Sequence, residues 1–292
     1  MTSLAPGPRG LYIESQRGAI IRSRIARPPC IVAGVPAADP DPNWSPIAPP
    51  FAYTPEKAPW ITPFTVRRGS TQTVIAGGDN VFRALDVPVD SMVWAPLSEF
   101  TWTPYAPAPD MPLLISSVSI GDDAGQIIYA GHSTNGELQY TFTGGGSINN
   151  WRLEDPISDS RPGAPDDGTR GDVTDILVAP DSPYHIFVGI KYGDKSYVLE
   201  SPDTHTQPAT FTDLGPGLSS GVNRLLLLNG NLLAATDDGV YLHDGPAKWS
   251  RIGSDSLPRV PVVDLVPTES GCVFALTHGR GAWSACPPSS GV

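Results

Sequence analysis

Lysine is nearly missing from this sequence: 4 residues in 292, against 15 Arg, 23 Asp and 7 Glu. Charged residues make up only 17% of the chain, and the net charge is −11. No basic stripe is available to neutralise phosphates, which argues against a nucleic-acid or anionic-membrane partner. Long apolar runs are also lacking, and none approaches the ~18 residues needed to span a bilayer. The opening MTSLAPGPRG sets Pro and Gly where the apolar stretch of a cleavable export signal would lie, so no such signal is read and no compartment is assigned. CxxC pairs are absent: Cys30, Cys272 and Cys286 are widely spaced, which argues against a zinc knuckle or redox motif. Their odd number, with no export signal, predicts free buried thiols. Helix-forming stretches are scarce too, because 33 Pro and 30 Gly punctuate the chain. That argues against bundles, coiled coils and doubly wound α/β folds. Against disorder, apolar residues reach 40%, enough for a core. The excess of Asp over Glu reads as turn chemistry.

What the sequence does contain is a repeat. Trp-x-x-Leu/Ile recurs as WSPI (Trp44), WAPL (Trp94) and WSRI (Trp249), with WRLE (Trp151) and FTDL (Phe211) as variants. Ahead of each aromatic lies an Asp- or Gly-bearing turn, and ahead of that a strand pair: TVIAGG with NVFRALD, IIYAGH with ELQYTF, HIFVGI with SYVLES, NLLAAT with GVYLHD. Each unit opens on a further short strand, ITPFTV, ISSVSI, VTDILV, VNRLLL and VVDLVP. Short β-branched or aromatic runs bounded by Gly, Pro, Asp and Asn are strands. A four-stranded unit returning every ~40–60 residues is the signature of a β-propeller blade. A twisted sheet with two apolar faces covers neither until neighbouring blades stack on it. The expectation is an all-β propeller of four-stranded antiparallel blades. Four are complete, at 61–97, 115–153, 173–214 and 222–252. Partial blades occupy 11–47 and 262–286, with tails at 1–10 and 287–292.

Several stretches resemble the bacterial BNR-repeat (Asp-box) β-propeller proteins related to sortilin and xyloglucanase-type propellers. They are LYIESQRGAIIRS, TPFTVRRGSTQTVIAGGDNVFRALD, VNRLLLLNGNLLAATDDGVYLHDGPAKWSRI, LPRVPVVDLVP and the closing THGRGAW, His278 to Trp283. The resemblance implies that more blades precede the LYIES-like segment, and it brings a glycosidase-like label that is an analogy of fold. It also implies that box Asp and Ser residues tie outer hairpins while the aromatic packs between blades. Of the box S-x-D-x-G-x-T-W, Ser201-Pro202-Asp203 keeps the start, with Phe211 as a late aromatic.

Ligands of a propeller normally bind at a mouth of the central channel, lined by the first strand of each blade. Aligned on their first strands, the units carry Pro63, Ser117, Asp175, Arg224 and Asp264 at the third position. Asp175, Arg224 and Asp264 should therefore lie near the axis. Glycoside hydrolysis needs a carboxyl pair, and Asp175 with Asp264 is the symmetric candidate for catalysis. The competing reading ties both to backbone amides or to Arg224. An arginine cluster of sialidase type is not found, since Arg67 and Arg68 are adjacent and point to opposite faces. Asp39-Pro40-Asp41-Pro42-Asn43 lacks the Gly of a calcium loop, and the five histidines form no i,i+4 pair, so no metal and no cofactor is expected. Pro-rich insertions at 45–60 and 98–112 carry Trp60, Trp102 and Tyr105, aromatics suited to sugar faces or a protein partner. The function expected is a ligand-binding or scaffold propeller for a carbohydrate or protein. A glycoside hydrolase or lyase is the alternative. Incomplete terminal blades present unpaired strand edges, so a second chain or second copy completing the propeller is the expected partner.

Overall fold

A computed structural model describes residues 3–7, 10–14, 20–23, 44–46, 49, 52–54, 57–59, 61–67, 72–86, 102–104, 114–133, 136–145, 150–156, 171–192, 195–215, 217–218, 220–245, 248–253, 256–268 and 270–286. The described strands form six separate sheets, and in each of them consecutive strands lie side by side. The first holds β1 (Ser3–Gly7), β2 (Gly10–Glu14), β3 (Ile20–Ser23) and β4 (Trp44–Pro46). The second holds β5 (Phe64–Arg67), β6 (Gln72–Gly77), β7 (Val81–Asp86) and β8 (Trp102–Pro104). The third holds β9 (Ile115–Ile120), β10 (Ile128–His132), β11 (Leu138–Thr141) and β12 (Trp151–Glu154). In the fourth are β13 (Asp172–Val178), β14 (Ile186–Tyr192), β15 (Lys195–Ser201) and β16 (Thr212–Asp213), and in the fifth β17 (Val222–Leu228), β18 (Asn231–Thr236), β19 (Gly239–His243) and β20 (Trp249–Ile252). The sixth has three strands, β21 (Val262–Pro267), β22 (Val273–Thr277) and β23 (Ala282–Ala285).

Two differences from the sequence reading concern strands. Residues 3–7, expected as a tail, form β1 and pair with β2 from Ser3↔Glu14 to Gly7↔Gly10, so the N-terminal sheet has four strands instead of a truncated set. Pro6 hid this strand, because proline reads as a breaker yet is tolerated on an edge strand, where β1 lies. In the second sheet the fourth strand opens at Trp102, pairing Ala84↔Trp102, and the expected Trp94 lies outside the described residues. With that change, the fourth strand of every four-stranded sheet opens on or directly after an aromatic: Trp44, Trp102, Trp151, Phe211 and Trp249.

The chain divides into two compact units, residues 1–130 with 139–152, and residues 131–138 with 153–292. In the first unit, Val74 and Ala76 of β6 pack with Ile20, Phe64 and Phe82, while Ile75 between them packs with Ile115, Ile120 and Ile128. Successive side chains of a strand point to opposite faces, so β6 is buried on both. The second unit repeats the arrangement. Leu232 and Ala234 of β18 join Phe187, Val198 and Trp249, whereas Leu233 and Ala235 join Val262, Leu265, Val273 and Ala275. Burial on both faces makes these strands near-continuous apolar runs. Between β17 and β18, Asn229 and Gly230 take φ of 52° and 79°, the two positive values that a two-residue hairpin of matching twist demands.

A third difference is covalent. Cys272 and Cys286, expected as free thiols, form a disulfide with Cα atoms 4.0 Å apart. The physical reason is register. Val273 of β22 faces Ala285 of β23, so the next residues outward, Cys272 and Cys286, are directly opposed. Their 14-residue sequence separation hid a contact that strand pairing makes.

Candidate functional site

The first strands of the last three sheets, β13, β17 and β21, neighbour one another in the second unit. Each carries a fully buried valine at its first or second position: Val173, Val222 and Val262. Each then carries a register shift, between Val173 and Asp175, Val222 and Arg224, and Val262 and Asp264. A β-bulge adds one unpaired residue and re-aims its neighbours. Thr174, Asn223 and Val263 are the added residues, and Asp175, Arg224 and Asp264 follow them at matching places. The valines seat against small residues of the preceding sheet. A Cβ on Gly189 of β14 would lie 2.9 Å from Val222 Cγ1, and one on Gly131 of β10 only 2.2 Å from Val173 Cγ1.

The three charged residues expected from the alignment thus come together. Arg224 Nη1 donates to Asp175 Oδ1 at 3.1 Å, and Arg224 Nε lies 3.4 Å from Asp264 Oδ1. Asp175 is 4% exposed. Its Oδ2 accepts the Leu225 N–H at 2.7 Å, so both of its oxygens are engaged. Burial pushes the Asp175 pKa up, against the guanidinium of Arg224 and the Leu225 N–H, which pull it down. The Asp175 charge, ahead of burial's opposing effect, raises the pKa of Arg224. Asp264 Oδ1 accepts its neighbour Leu265's N–H at 2.9 Å. The side chains of Arg224 and Asp264 are 53% and 36% exposed. No described residue engages Arg224 Nη2 or Asp264 Oδ2.

This pair presents an open donor beside an open acceptor, held by a buried carboxylate behind them. A second polar group adjoins the row: Asn223 donates to Asp237 Oδ1 and to the Val262 carbonyl, both at 3.0 Å, and Lys191 Nζ meets Asp237 Oδ2 at 2.7 Å. Sequence reading missed Lys191, Asn223 and Asp237 because a bulge residue and a turn residue give no periodic signal.

Of the aromatics proposed for binding, Trp102 belongs to strand β8 and not to an insertion loop, while Trp60 and Tyr105 lie outside the described residues. Asp203 accepts the His205 N–H at 2.9 Å and the Thr206 hydroxyl at 2.8 Å, closing the turn after β15, and Phe211 is buried. His185 lies between Glu200, 2.8 Å from Nε2, and Asp181, 3.3 Å from Nδ1, and so ties the β13–β14 turn to β15. Among the described residues no group of three or more His, Cys, Asp or Glu is placed to hold a metal ion, and no helix is long and apolar enough to cross a membrane.

No protein-family model and no curated protein matches the chain. Solved structures do. The extracellular domain of BT4673 from B. thetaiotaomicron is similar over 94% of this chain, with a TM-score of 0.59 at 14% identity, although the chain spans only 31% of that domain's length. The Cps50 (Swd1) β-propeller domain of Myceliophteria thermophila is similar over 97% of this chain and 83% of its own, with a TM-score of 0.57 at 10% identity. The computationally designed protein Ika8 is similar over 97% of this chain and 70% of its own, with a TM-score of 0.55 at 12% identity. At such identities the likeness speaks to fold alone: the chain is built from four-stranded antiparallel sheets of the β-propeller kind.

Proposed function

We propose that this protein is a ligand-binding propeller whose recognition site is the Asp175–Arg224–Asp264 row at a channel mouth, and that the ligand is a carbohydrate. The observation carrying this reading is the unengaged donor of Arg224 beside the unengaged acceptor of Asp264. A sugar hydroxyl both donates and accepts, so two adjacent hydroxyls match the pair, one donating to Asp264 and the other accepting from Arg224. Asp175 is the positioning residue. Being buried, with one oxygen on Arg224 and the other capped by the Leu225 N–H, it fixes the guanidinium and is not exposed to an incoming glycosidic oxygen. That capping favours binding over the glycoside hydrolase or lyase alternative, in which Asp175 and Asp264 would both be catalytic. A kinship with BNR-repeat (Asp-box) proteins is part of the same proposal, supported by the Asp203 turn and the buried Phe211.

The test is titration calorimetry against a polysaccharide and oligosaccharide panel, with aryl glycosides assayed in parallel. Hydrogen bonds to charged groups contribute about 1.5–3 kcal/mol, so Arg224→Ala and Asp264→Asn should each weaken binding roughly 10–100-fold. Binding that survives Arg224→Ala would sink the assigned site. Turnover of an aryl glycoside, abolished by Asp264→Asn, would replace binding by hydrolysis.

A further inference from the structure

Among the described residues, the sixth sheet lacks the element that every other sheet has. Five fourth strands open on or directly after an aromatic, and β23 has no fourth strand beside it among the described residues. In the fifth sheet that aromatic is Trp249, which stands opposite His243. It is 5% exposed and packs with Phe187, Leu214, Leu232 and Tyr241, bridging the fifth sheet to the fourth.

The corresponding place in the sixth sheet follows from register. Val222↔Thr236 and Val262↔Thr277 align the second strands. The Thr236 and Thr277 hydroxyls donate to the Gly239 and Gly281 carbonyls, which aligns the next turns. Counting four residues onward from each glycine sets Ala285 where the fifth sheet has His243. An incoming aromatic would therefore stand opposite Ala285. An apolar hollow lies at that spot, and its walls match those around Trp249: Val273 for Leu232, Trp283 for Tyr241, Ile252 for Leu214. It continues the interface already formed between the fifth and sixth sheets, where Val240 and Leu257 pack with Val273 and Ala275. The Cys272–Cys286 disulfide ties the outer end of β23 to β22, so β23 is held in place from its β22 side.

We infer that β23 and this hollow form a strand-addition site for an extended segment of another protein chain, read by an aromatic seated opposite Ala285 and an aliphatic residue three positions later. Main-chain hydrogen bonds to the open edge would supply affinity, and the hollow would supply selectivity. This site is independent of the ligand at Arg224.

A capped synthetic peptide, Lys-Trp-Ser-Arg-Ile-Gly, copies residues 248–253 and serves as the probe on the full, oxidised chain. Exchange of the Ala282 and Ser284 amides, which point away from β22, should slow about tenfold at saturating peptide, with a Kd below about 1 mM. The peptide with Ala in place of Trp should bind at least about tenfold more weakly. Ala285→Arg, at an exposed position, should remove the protection without lowering the melting temperature. The proposal fails if β23 exchange is unchanged, or if the two peptides protect equally. It also fails if the Ala282 and Ser284 amides are already protected in the dilute monomer, since the chain then covers its own edge. Protection that rises with chain concentration, together with a dimer in light scattering, would assign the site to a second copy and overturn the heterologous partner.

Discussion

Replacing Asp175 by alanine removes the acceptor of a buried N–H, that of Leu225, and one of the two carboxylates around Arg224. A buried donor left without a partner costs about 1–3 kcal/mol. The lost ion pair adds about 1 kcal/mol at most, because the Arg224 side chain is 53% exposed and retains Asp264. The expected destabilisation is thus roughly 1–4 kcal/mol. Asp175→Asn keeps an acceptor oxygen for Leu225 and should lose only about 1 kcal/mol. Urea unfolding followed by tryptophan fluorescence reads both variants. The pH dependence sharpens the test. The Asp175 pKa is raised on folding above its ordinary 3.8, so the native state holds this proton more firmly than the unfolded chain does. Its stabilising contribution is fully present below 3.8 and is lost as pH rises through the folded value. The stability of the native protein relative to Asp175→Asn should accordingly fall with rising pH and then level off. An Asn variant as unstable as the Ala variant, or a difference that grows with pH, would refute the reasoning.

Gly189→Val should destabilise the chain by about 1–3 kcal/mol in the same assay, because its Cβ alone would lie 2.9 Å from Val222 Cγ1. Reduction of the Cys272–Cys286 disulfide, or its replacement by a serine pair, opens a loop with a sequence separation of 14. About 3 kcal/mol of stability should go with it, seen as a lower urea midpoint for the oxidised chain on adding reductant. At Asp237, burial acts to raise the pKa but is outweighed by the hydrogen bonds from Lys191 and Asn223 and by the Lys191 charge, which leave it lowered. The stability it contributes is present above the ordinary carboxylate value and lost as pH falls through the lowered one. Lys191→Met should therefore flatten the acid limb of the stability profile while changing little at pH well below it.

The repeat was legible because strand periodicity and turn residues are local signals. TVIAGG, HIFVGI and NLLAAT announce themselves as β6, β14 and β18 by apolar runs ending at Gly, Asp or Asn. The Asp175–Arg224–Asp264 row was also legible, since aligning the first strands set the three at one position before any contact was known. What escaped was set by pairing between segments. The Cys272–Cys286 bond depends on the β22–β23 register, and β1 depends on β2 offering a partner to a Pro-bearing edge. The choice of Trp102 over Trp94 for the second sheet depends on which tryptophan meets Ala84. Nothing local distinguishes the two. The open donor and acceptor of Arg224 and Asp264 were out of reach for the same reason, being a matter of which lone pairs neighbouring strands consume.

The three bulges make the head of each first strand a replaceable cassette. The valine fixes the strand to the neighbouring sheet, the inserted residue takes up the shift, and the third residue is then re-aimed: Arg224 and Asp264 toward solvent, Asp175 into a buried contact with the next strand. Substitution at 224 or 264 therefore changes the surface chemistry of one sheet at a time, and Arg and Asp already illustrate two outcomes on one scaffold. Descendants of such a chain can acquire a new specificity by single codon changes at 224 or 264 while the buried valines and Asp175 keep the architecture. Deleting position 223 would do the opposite: Val222↔Thr236 and Arg224↔Ala235 would become consecutive regular pairs, the bulge would vanish, and Arg224 would lose the re-aiming that sets it beside Asp264.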